Sequence, residues 1–403
     1  MKYFVLLADG MADTPAEVLQ GKTPMECACK PYMDRVAFEG RSGICRTVPE
    51  GMSPGSDVAN LAAMGFDPTV CYTGRSPLEA LSLGVNMADT DVAIRANLVT
   101  LSEEEPYEAK TMVDYSGGDI STAEAAQLIH TLAQQLGSEV FTLYAGVSYR
   151  HCLIWHHGCA DAVHFSKPHD IPDRVIGEYL PTGEAGAQML ALMKQSYEIL
   201  KEHPVNLARK AQGKKPANSL WFWGQGTKPA LPSFTALYGL RGAVISAVDL
   251  LKGIGIGAGM DTPTVEGTTG YLDTNFAGKA EQTIRCFEQG CDYVFTHLEA
   301  PDECGHRGEA QNKVRSIEII DEQILKPVWN YLEQTGEAYR ILVLPDHPTP
   351  LDIRTHSAQP VPFALYESGA PEKGNAPSFN EKTASQSGLF VSNGPELMQL
   401  LLH

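Results

Sequence analysis

The chain is short of positive charge. Its 31 lysines and arginines face 49 aspartates and glutamates, a formal net charge of -18. Nucleic acids and anionic membranes select basic surfaces, so neither is expected as a partner. Any anionic substrate must then be met by a local cluster of Arg, Lys or metal ions. Long apolar runs are also missing, and nothing approaches the roughly 20 residues of a membrane span. The first apolar stretch, Tyr3 to Ala8, is too short for a secretory signal and stops at Asp9. The nine cysteines are scattered and odd in number. Cys27 and Cys29 form C-x-C rather than C-x-x-C, and no second pair completes a zinc site. Reduced thiols in a cytoplasm are therefore expected. No repeats or low-complexity tracts occur. The glycines from Lys252 to Gly257 lack both G-x-G-x-x-G spacing and the Lys-Ser/Thr of a phosphate loop, so they are weak support for a nucleotide.

A length of 403 residues exceeds one small core, and two domains or one domain with an insertion is expected. The opening reads strand, loop, helix, with helical spacing from Tyr32 to Phe38. A second helix is expected from Ser56 to Met64, ended by Gly65. From about Asn86 to Trp223 the texture changes. Strand-like Val92–Thr100 alternates with helical Ser121–Leu136 and Ala185–Glu202, and five histidines crowd into His151–His169. This segment, 86–223, is expected to be an inserted smaller α/β domain. Residues 1–85 and 224–403 then form the main α/β domain, a mostly parallel sheet flanked by helices.

What the chain does have is metal-ligand residue types just after strand-like runs. Tyr3–Ala8 delivers Asp9. Tyr293–Thr296 leads to Asp302 and His306, and Ile341–Pro345 delivers Asp346 and His347, with His356 beyond. Buried parallel strands read as short apolar runs, and α/β sheets place ligand sites at their carboxyl ends. Asp302 and His306 are four apart, so on a helix they share a face and can grip one ion, with His356 as a third ligand. Asp346 and His347, splayed by a turn, can face a second ion completed by Asp9. Imidazole with carboxylate suits Mn²⁺, Zn²⁺ or Fe, and Mg²⁺ fits if phosphate is handled. Two metals can clamp the attacking and leaving oxygens of a phosphoryl group. Any one of these residues alone reads as a cap or surface group; the combination carries the reading.

A nucleophile is needed, and Ser56 stands at a helix start, where free N–H groups favour anionic oxygen. A metal on its Oγ would activate the hydroxyl. Its alternative role is simply to cap the helix. Ser53 competes, but Pro54 separates it from the helix. Cationic candidates for the substrate are Arg75, Arg95, Arg150, Lys228 and Arg354. Arg95 is favoured because it lies in an apolar run where an unpaired charge is costly. Arg150 with His151 comes next, while His157 and His164 read as packing and Cys304 as inert.

These stretches together resemble the archaeal-type cofactor-independent phosphoglycerate mutases of the alkaline phosphatase superfamily. The resemblance rests on Ala8–Asp13, Pro54–Leu61, Tyr72–Ala80, Glu299–His306 and Pro345–Pro350. It implies an alkaline-phosphatase-like sheet domain, an inserted substrate-binding cap, and two divalent metal ions (Mn, Zn or Mg) without 2,3-bisphosphoglycerate. By the match, Asp302, His306 and His356 hold one metal, while Asp9, Asp346, His347 and Ser56 hold the other. Ser56 becomes phosphoserine, and 3-phosphoglycerate and 2-phosphoglycerate interconvert in two in-line transfers. The small phosphorylated substrate is the implied partner. One departure stands out: Met112–Ser121 has no Arg. A related bacterial branch, matched at least as well, has been proposed to act as a homoserine kinase. That phosphotransferase, and a phosphate-ester or phosphonate hydrolase, are the alternative activities.

Overall fold

The computed structural model describes residues 1–370 and 376–403. Along the chain its strands are β1 (Lys2–Ala8), β2 (Arg41–Cys45), β3 (Val92–Leu101), β4 (Met112–Asp114), β5 (Phe141–Tyr144) and β6 (Arg150–Trp155). They continue as β7 (Ser219–Thr227), β8 (Gly242–Ile245), β9 (Tyr293–Leu298), β10 (Tyr339–Leu344), β11 (Val361–Glu367) and β12 (Phe390–Val391). The chain divides into two compact units, Met1–Tyr72 with Ala230–His403, and Thr73–Pro229.

The first unit holds a seven-stranded sheet in the order β12-β2-β11-β10-β1-β9-β8. β1 runs parallel to both β10 and β9, and β8 parallel to β9. Only β11 runs against its neighbours, β10 and β2. The expected mostly parallel α/β sheet is thus present. In β1 every residue from Tyr3 to Ala8 is buried. Successive strand side chains point to opposite faces, so an unbroken buried run means both faces are covered. Helices supply that cover. Phe276–Glu288, Ala310–Ile320 and Lys326–Thr335 bring Phe276, Ile317, Ile320, Val328 and Trp329 into one core with Phe4, Leu6, Ile341 and Val343.

The second unit is an antiparallel sheet, β4-β3-β6-β5, with β7 also paired to β3. All ten residues of β3 are buried. Helices Thr122–Leu136 and Gly186–Leu200 pack on it through Leu128, Ile129, Met189 and Met193. Ser121 and Glu124 form a reciprocal capping box that starts the first of them.

The expected borders at 85/86 and 223/224 need correction, because the second unit is wider at both ends. Helix Arg75–Ser82 belongs to it: Ala80, with Val85 and Met87 beyond the helix, packs on Ala93, Cys152 and Ile154. At the other end β7 stays paired with β3 as far as Thr227, opposite Val92. The Gly-rich stretch Lys252–Gly257 forms the body of helix Asp249–Gly257.

One helix start is capped from far away. Lys30, before helix Pro31–Glu39, makes no side-chain cap. Instead Asp321 accepts the backbone N–H groups of Met33 at 2.7 Å and Tyr32 at 3.2 Å. Asp321 opens a π-helical turn, Asp321–Leu325, and burial pushes its carboxyl from 3.8 up to about 6. A carboxyl that binds its proton more tightly when folded stabilises most below its unfolded value. That contribution is lost as pH rises through 6. Asp321→Asn does not titrate, so relative to it the wild type should lose about 1 kcal/mol between pH 5 and pH 7.5. Urea denaturation of both proteins at the two pH values checks this; a gap that does not change with pH contradicts it.

Candidate metal centre and active site

The three central parallel strands end together. Ala8 lies opposite Leu298 and Leu7 opposite Leu344, so β1, β9 and β10 release their next residues at one edge. Asp9 follows β1, Glu299 follows β9, and Asp346 and His347 come two and three residues after Leu344. Asp9, Asp346 and His347 are buried despite their polarity. Gly10 makes the close approach possible. It has φ +61°, and a Cβ there would lie 2.6 Å from both Asp302 Oδ1 and Thr349 Oγ1.

Helix Ala300–Arg307 presents Asp302 and His306 one turn apart, with His306 Nε2 3.3 Å from Asp302 Oδ2. His356 Nε2 lies 3.5 Å from Asp302 Oδ1 and 2.9 Å from His306 Nε2. The ring centroids of His347 and His356 lie 4.0 Å apart, with the planes tilted by 31°. Donor atoms of Asp302, His347 and His356 all lie within 4.8 Å of one another, and so do those of Asp9, His297 and Asp346. His347 Nε2 stands between the groups, 3.5 Å from Asp9 Oδ1 and 3.4 Å from Asp346 Oδ2.

Ser56 is the first residue of helix Ser56–Ala63, whose cap position is Gly55. Its Oγ lies 3.2 Å from His347 Nε2 and 3.5 Å from Asp9 Oδ2. One turn on, buried Asn60 donates to Ser56 O at 2.9 Å and to Asp346 Oδ2 at 2.8 Å. That amide ties the serine's helix to the end of β10.

The donor set suits divalent cations. Asp9 Oδ1 is buried and has no hydrogen-bond partner among the described residues. Burial, with the carboxylates of Asp346 and Asp302, raises the Asp9 carboxyl well above its ordinary range, as expected where a cation is wanted. Burial also tends to raise Asp302, but hydrogen bonds with His306 and His356, and the nearby His347, carry it well below that range. His306 Nδ1 donates to the carbonyl of Arg354 at 3.0 Å, and His347 Nδ1 lies 3.3 Å from Thr349 Oγ1. Each leaves Nε2 facing the cluster, the arrangement that fixes the tautomer of a metal-binding imidazole.

The expected ligands Asp9, Ser56, Asp302, His306, Asp346, His347 and His356 are thus brought together. Sequence reasoning missed the groups behind them. His297 Nε2 reaches Asp9 Oδ2 at 3.0 Å, with Glu299 and Lys279 beyond. Lys313 Nζ bonds Asp13 Oδ2 at 2.7 Å and the carbonyl of Thr349 at 2.9 Å. A usable signal existed for His297, a histidine inside an apolar strand. None marked the lysines.

Of the expected substrate cations, Arg75, Arg95, Arg150 and Lys228 lie in the second unit, while Arg354 lies in the first, its carbonyl bonded to His306. His151 and Lys228 also need correction. Arg95 and Arg75 both pair with Glu79, at 3.1 Å and 2.9 Å. Arg95 also lies over the Trp223 ring at 4.6 Å, and its buried Nε has no hydrogen-bond partner among the described residues. Burial tends to raise Glu79, but Arg95, Arg75 and Arg150 together draw it below its ordinary value. These three arginines therefore form one electrostatic cluster. His151 does not belong to it. It pairs with Ala96, and strand alternation turns it away from the face of Arg95 and Arg150. There it is buried, accepts the N–H of Gly146, and is held by burial down at about 3. Lys228 makes an ion pair with exposed Asp89 at 3.1 Å rather than joining the arginines.

Fold and site define an α/β protein whose parallel strands converge on a two-cluster carboxylate–imidazole centre with a serine beside it. A family model of the 2,3-bisphosphoglycerate-independent phosphoglycerate mutases matches residues 37–206. A Geobacter sulfurreducens protein named a probable mutase of that kind is 48% identical over 403 residues, covering 100% of both chains. The Methanosarcina barkeri mutase is 47% identical, covering 100% of this chain and 99% of the relative. The cofactor-independent phosphoglycerate mutase of Thermoplasma acidophilum superposes with a TM-score of 0.67 at 25% identity, covering 100% of this chain and 99% of that one. The PH0037 protein of Pyrococcus horikoshii reaches 0.82 at 28% identity, covering 100% and 96%. The chain belongs to the 2,3-bisphosphoglycerate-independent phosphoglycerate mutase family.

Gly10→Ala tests the packing of this centre. The new Cβ meets Asp302 and Thr349, and the backbone is left-handed, so a loss of about 2–4 kcal/mol is expected. Thermal unfolding should show it, and bound Mn²⁺ after dialysis should fall. An Ala variant with wild-type melting and metal content contradicts the reading.

Proposed function

We propose that the protein is an isomerase that interconverts 3-phosphoglycerate and 2-phosphoglycerate through a phosphoserine on Ser56. The single observation that carries this is the placement of Ser56 Oγ, 3.2 Å from His347 Nε2 and 3.5 Å from Asp9 Oδ2. Membership of the mutase family supports the substrate. Ser56 is not taken up in capping its own helix, since Gly55 occupies that position. Its hydroxyl is free to meet a phosphoryl group beside the helix N-terminus, where backbone N–H groups favour anionic oxygen.

The residues proposed to hold two divalent ions are Asp302, His306 and His356, and Asp9, Asp346, His347 and Ser56. Bound there, such ions would neutralise phosphoryl charge and lower the pKa of the serine hydroxyl. In the first transfer the Ser56 Oγ–P bond forms as the bond from phosphorus to the C3 oxygen breaks. The Ser56 hydroxyl gives up its proton in this step and the displaced C3 oxygen takes one up, giving glycerate with no net change in protons. In the second the C2 hydroxyl gives up its proton and attacks phosphorus, and Ser56 is regenerated. Asn60 and the N–H groups of Gly10 and His347, all bonded to Asp346, hold that carboxylate still throughout. No 2,3-bisphosphoglycerate is required, because the serine itself carries the group between hydroxyls.

Arg75, Arg95 and Arg150 of the second unit are proposed to hold the substrate's anionic groups. A planar guanidinium can grip a carboxylate or phosphate by two bonds at once. The second unit is accordingly read as the substrate-binding part. A cytoplasmic location goes with this reading, where such substrates are found.

³¹P NMR of the Mn²⁺-loaded protein tests it. With 3-phosphoglycerate alone, the 2-phosphoglycerate resonance should grow. No conversion there, with phosphohomoserine formed from ATP and homoserine, would replace this activity with a kinase-like one. Free phosphate alone would point to a hydrolase. Ser56→Ala should abolish transfer and leave Mn²⁺ content nearly intact; turnover at wild-type rate would refute the phosphoserine step. Arg95→Ala should raise KM for 3-phosphoglycerate at least tenfold, the loss of about 1.4 kcal/mol or more expected for a charge-assisted bond. An unchanged KM would remove Arg95 from the binding residues.

A further inference from the structure

We propose that His297, held by Glu299 and Lys279, is a positioning residue: it occupies one oxygen of Asp9 so that the other is presented to a metal ion. This rests on the two-metal reading above. The arrangement is a buried hydrogen-bonded line, Lys279–Glu299–His297–Asp9. Lys279 Nζ lies 3.0 Å from Glu299 Oε2 and donates to the carbonyl of His297 at 2.9 Å. Glu299 Oε1 accepts from Ala247 N at 3.2 Å and Ser246 Oγ at 3.3 Å, and lies 3.2 Å from His297 Nδ1. Ser246 Oγ is also 3.2 Å from that Nδ1. The other ring nitrogen, Nε2, is 3.0 Å from Asp9 Oδ2. Lys279 and His297 have no exposed surface, and Glu299 has almost none.

Two observations separate positioning from mere packing. Asp9 Oδ2 is engaged by His297, while Asp9 Oδ1 is buried and accepts no hydrogen bond among the described residues, its nearest imidazole nitrogen being His347 Nε2 at 3.5 Å. A carboxylate oxygen without a partner in a buried site is costly unless a ligand takes it. The line therefore does not satisfy Asp9; it leaves one defined oxygen open. His297 is itself fixed at three points, Nδ1, Nε2 and its carbonyl, and cannot swing to release Asp9. Its backbone is locked too, because β9 is paired with β1 on one side and β8 on the other. Glu299 needs Lys279 for the same reason that Asp9 needs an ion. A buried carboxylate without a cation is expensive, and Lys279 Nζ reaches Glu299 Oε2 at 3.0 Å.

His297 could instead bind the metal directly through Nε2, and the test separates the two roles. Mn²⁺ is titrated into the full chain by calorimetry, with content measured after dialysis. The wild type should bind two ions. His297→Ala should keep one tight ion and bind the second about 10- to 100-fold more weakly. Raised Mn²⁺ should then restore kcat, with KM for 3-phosphoglycerate near wild type. His297→Gln can still donate an N–H to Asp9 but offers no imidazole, so it should recover most of the second-ion affinity. Lys279→Met should resemble the alanine variant. If His297→Ala binds both ions as the wild type does, the inference fails. If His297→Gln is no better than alanine, His297 is a ligand and the inference also fails. A wild type that binds no Mn²⁺ would overturn the two-metal reading itself, a result distinct from either.

Discussion

Like charges crowded at one sheet edge are the constraint on which the rest of this structure depends. Asp9, Asp302 and Asp346 converge where three neighbouring parallel strands stop, and all three are buried. Carboxylates in such a place repel one another and lose their hydration. The fold answers with cations on both sides. Lys313 stands behind Asp302 through Asp13 and Thr349, and Thr349 Oγ1 donates to Asp302. Lys279 stands behind Asp9 through Glu299 and His297. Both lysines are fully buried, which is tolerable only because each is paired. The charge they supply offsets that of the carboxylates, while Asp9 Oδ1 accepts no hydrogen bond among the described residues.

Placement of the serine follows from the same edge. Helix Ser56–Ala63 begins at the cluster because Asn60, one turn inside it, bonds both the Ser56 carbonyl and Asp346. Had Ser56 been the cap residue, its hydroxyl would accept from its own helix. Gly55 takes that position in extended backbone, and the hydroxyl faces Asp9 and His347 instead. Small residues keep these parts close. Gly305 puts helix Ala300–Arg307 against the Thr349 backbone, where a Cβ would approach the carbonyl to 2.6 Å.

Charge is managed differently in the second unit. There a chain of net charge -18 gathers Arg75, Arg95 and Arg150 around a single carboxylate, Glu79. Arg95 is carried on a fully buried strand and is tolerated by its ion pair and by the Trp223 ring beneath it. Trp223 is itself fixed by its indole N–H to Asn97 at 3.0 Å. The helix that bears Arg75 and Glu79 packs on this sheet, which is why the unit begins at Thr73 and not thirteen residues later.

Much of this was legible in the chain, for reasons that are local. An apolar run followed by Asp-Gly, or by Asp-His, marks a buried strand and its end. The i, i+4 spacing of Asp302 and His306 marks one helix face. Burial and alternation are properties of short segments, so residues alone determined the parallel strands, the seven candidate ligands and the lone arginine of β3. What only tertiary structure decided concerns partners distant in sequence. The neighbours of His347 in both clusters, the facing away of His151, and the surface pairing of Lys228 with Asp89 depend on register and strand order. Lys279 and Lys313 read as ordinary helix-surface residues, yet both are sealed in the core because a carboxylate from another element waits there. A charged side chain's sequence neighbours do not reveal whether it is solvated or paired, since that free energy is set by whatever the fold brings within about 4 Å.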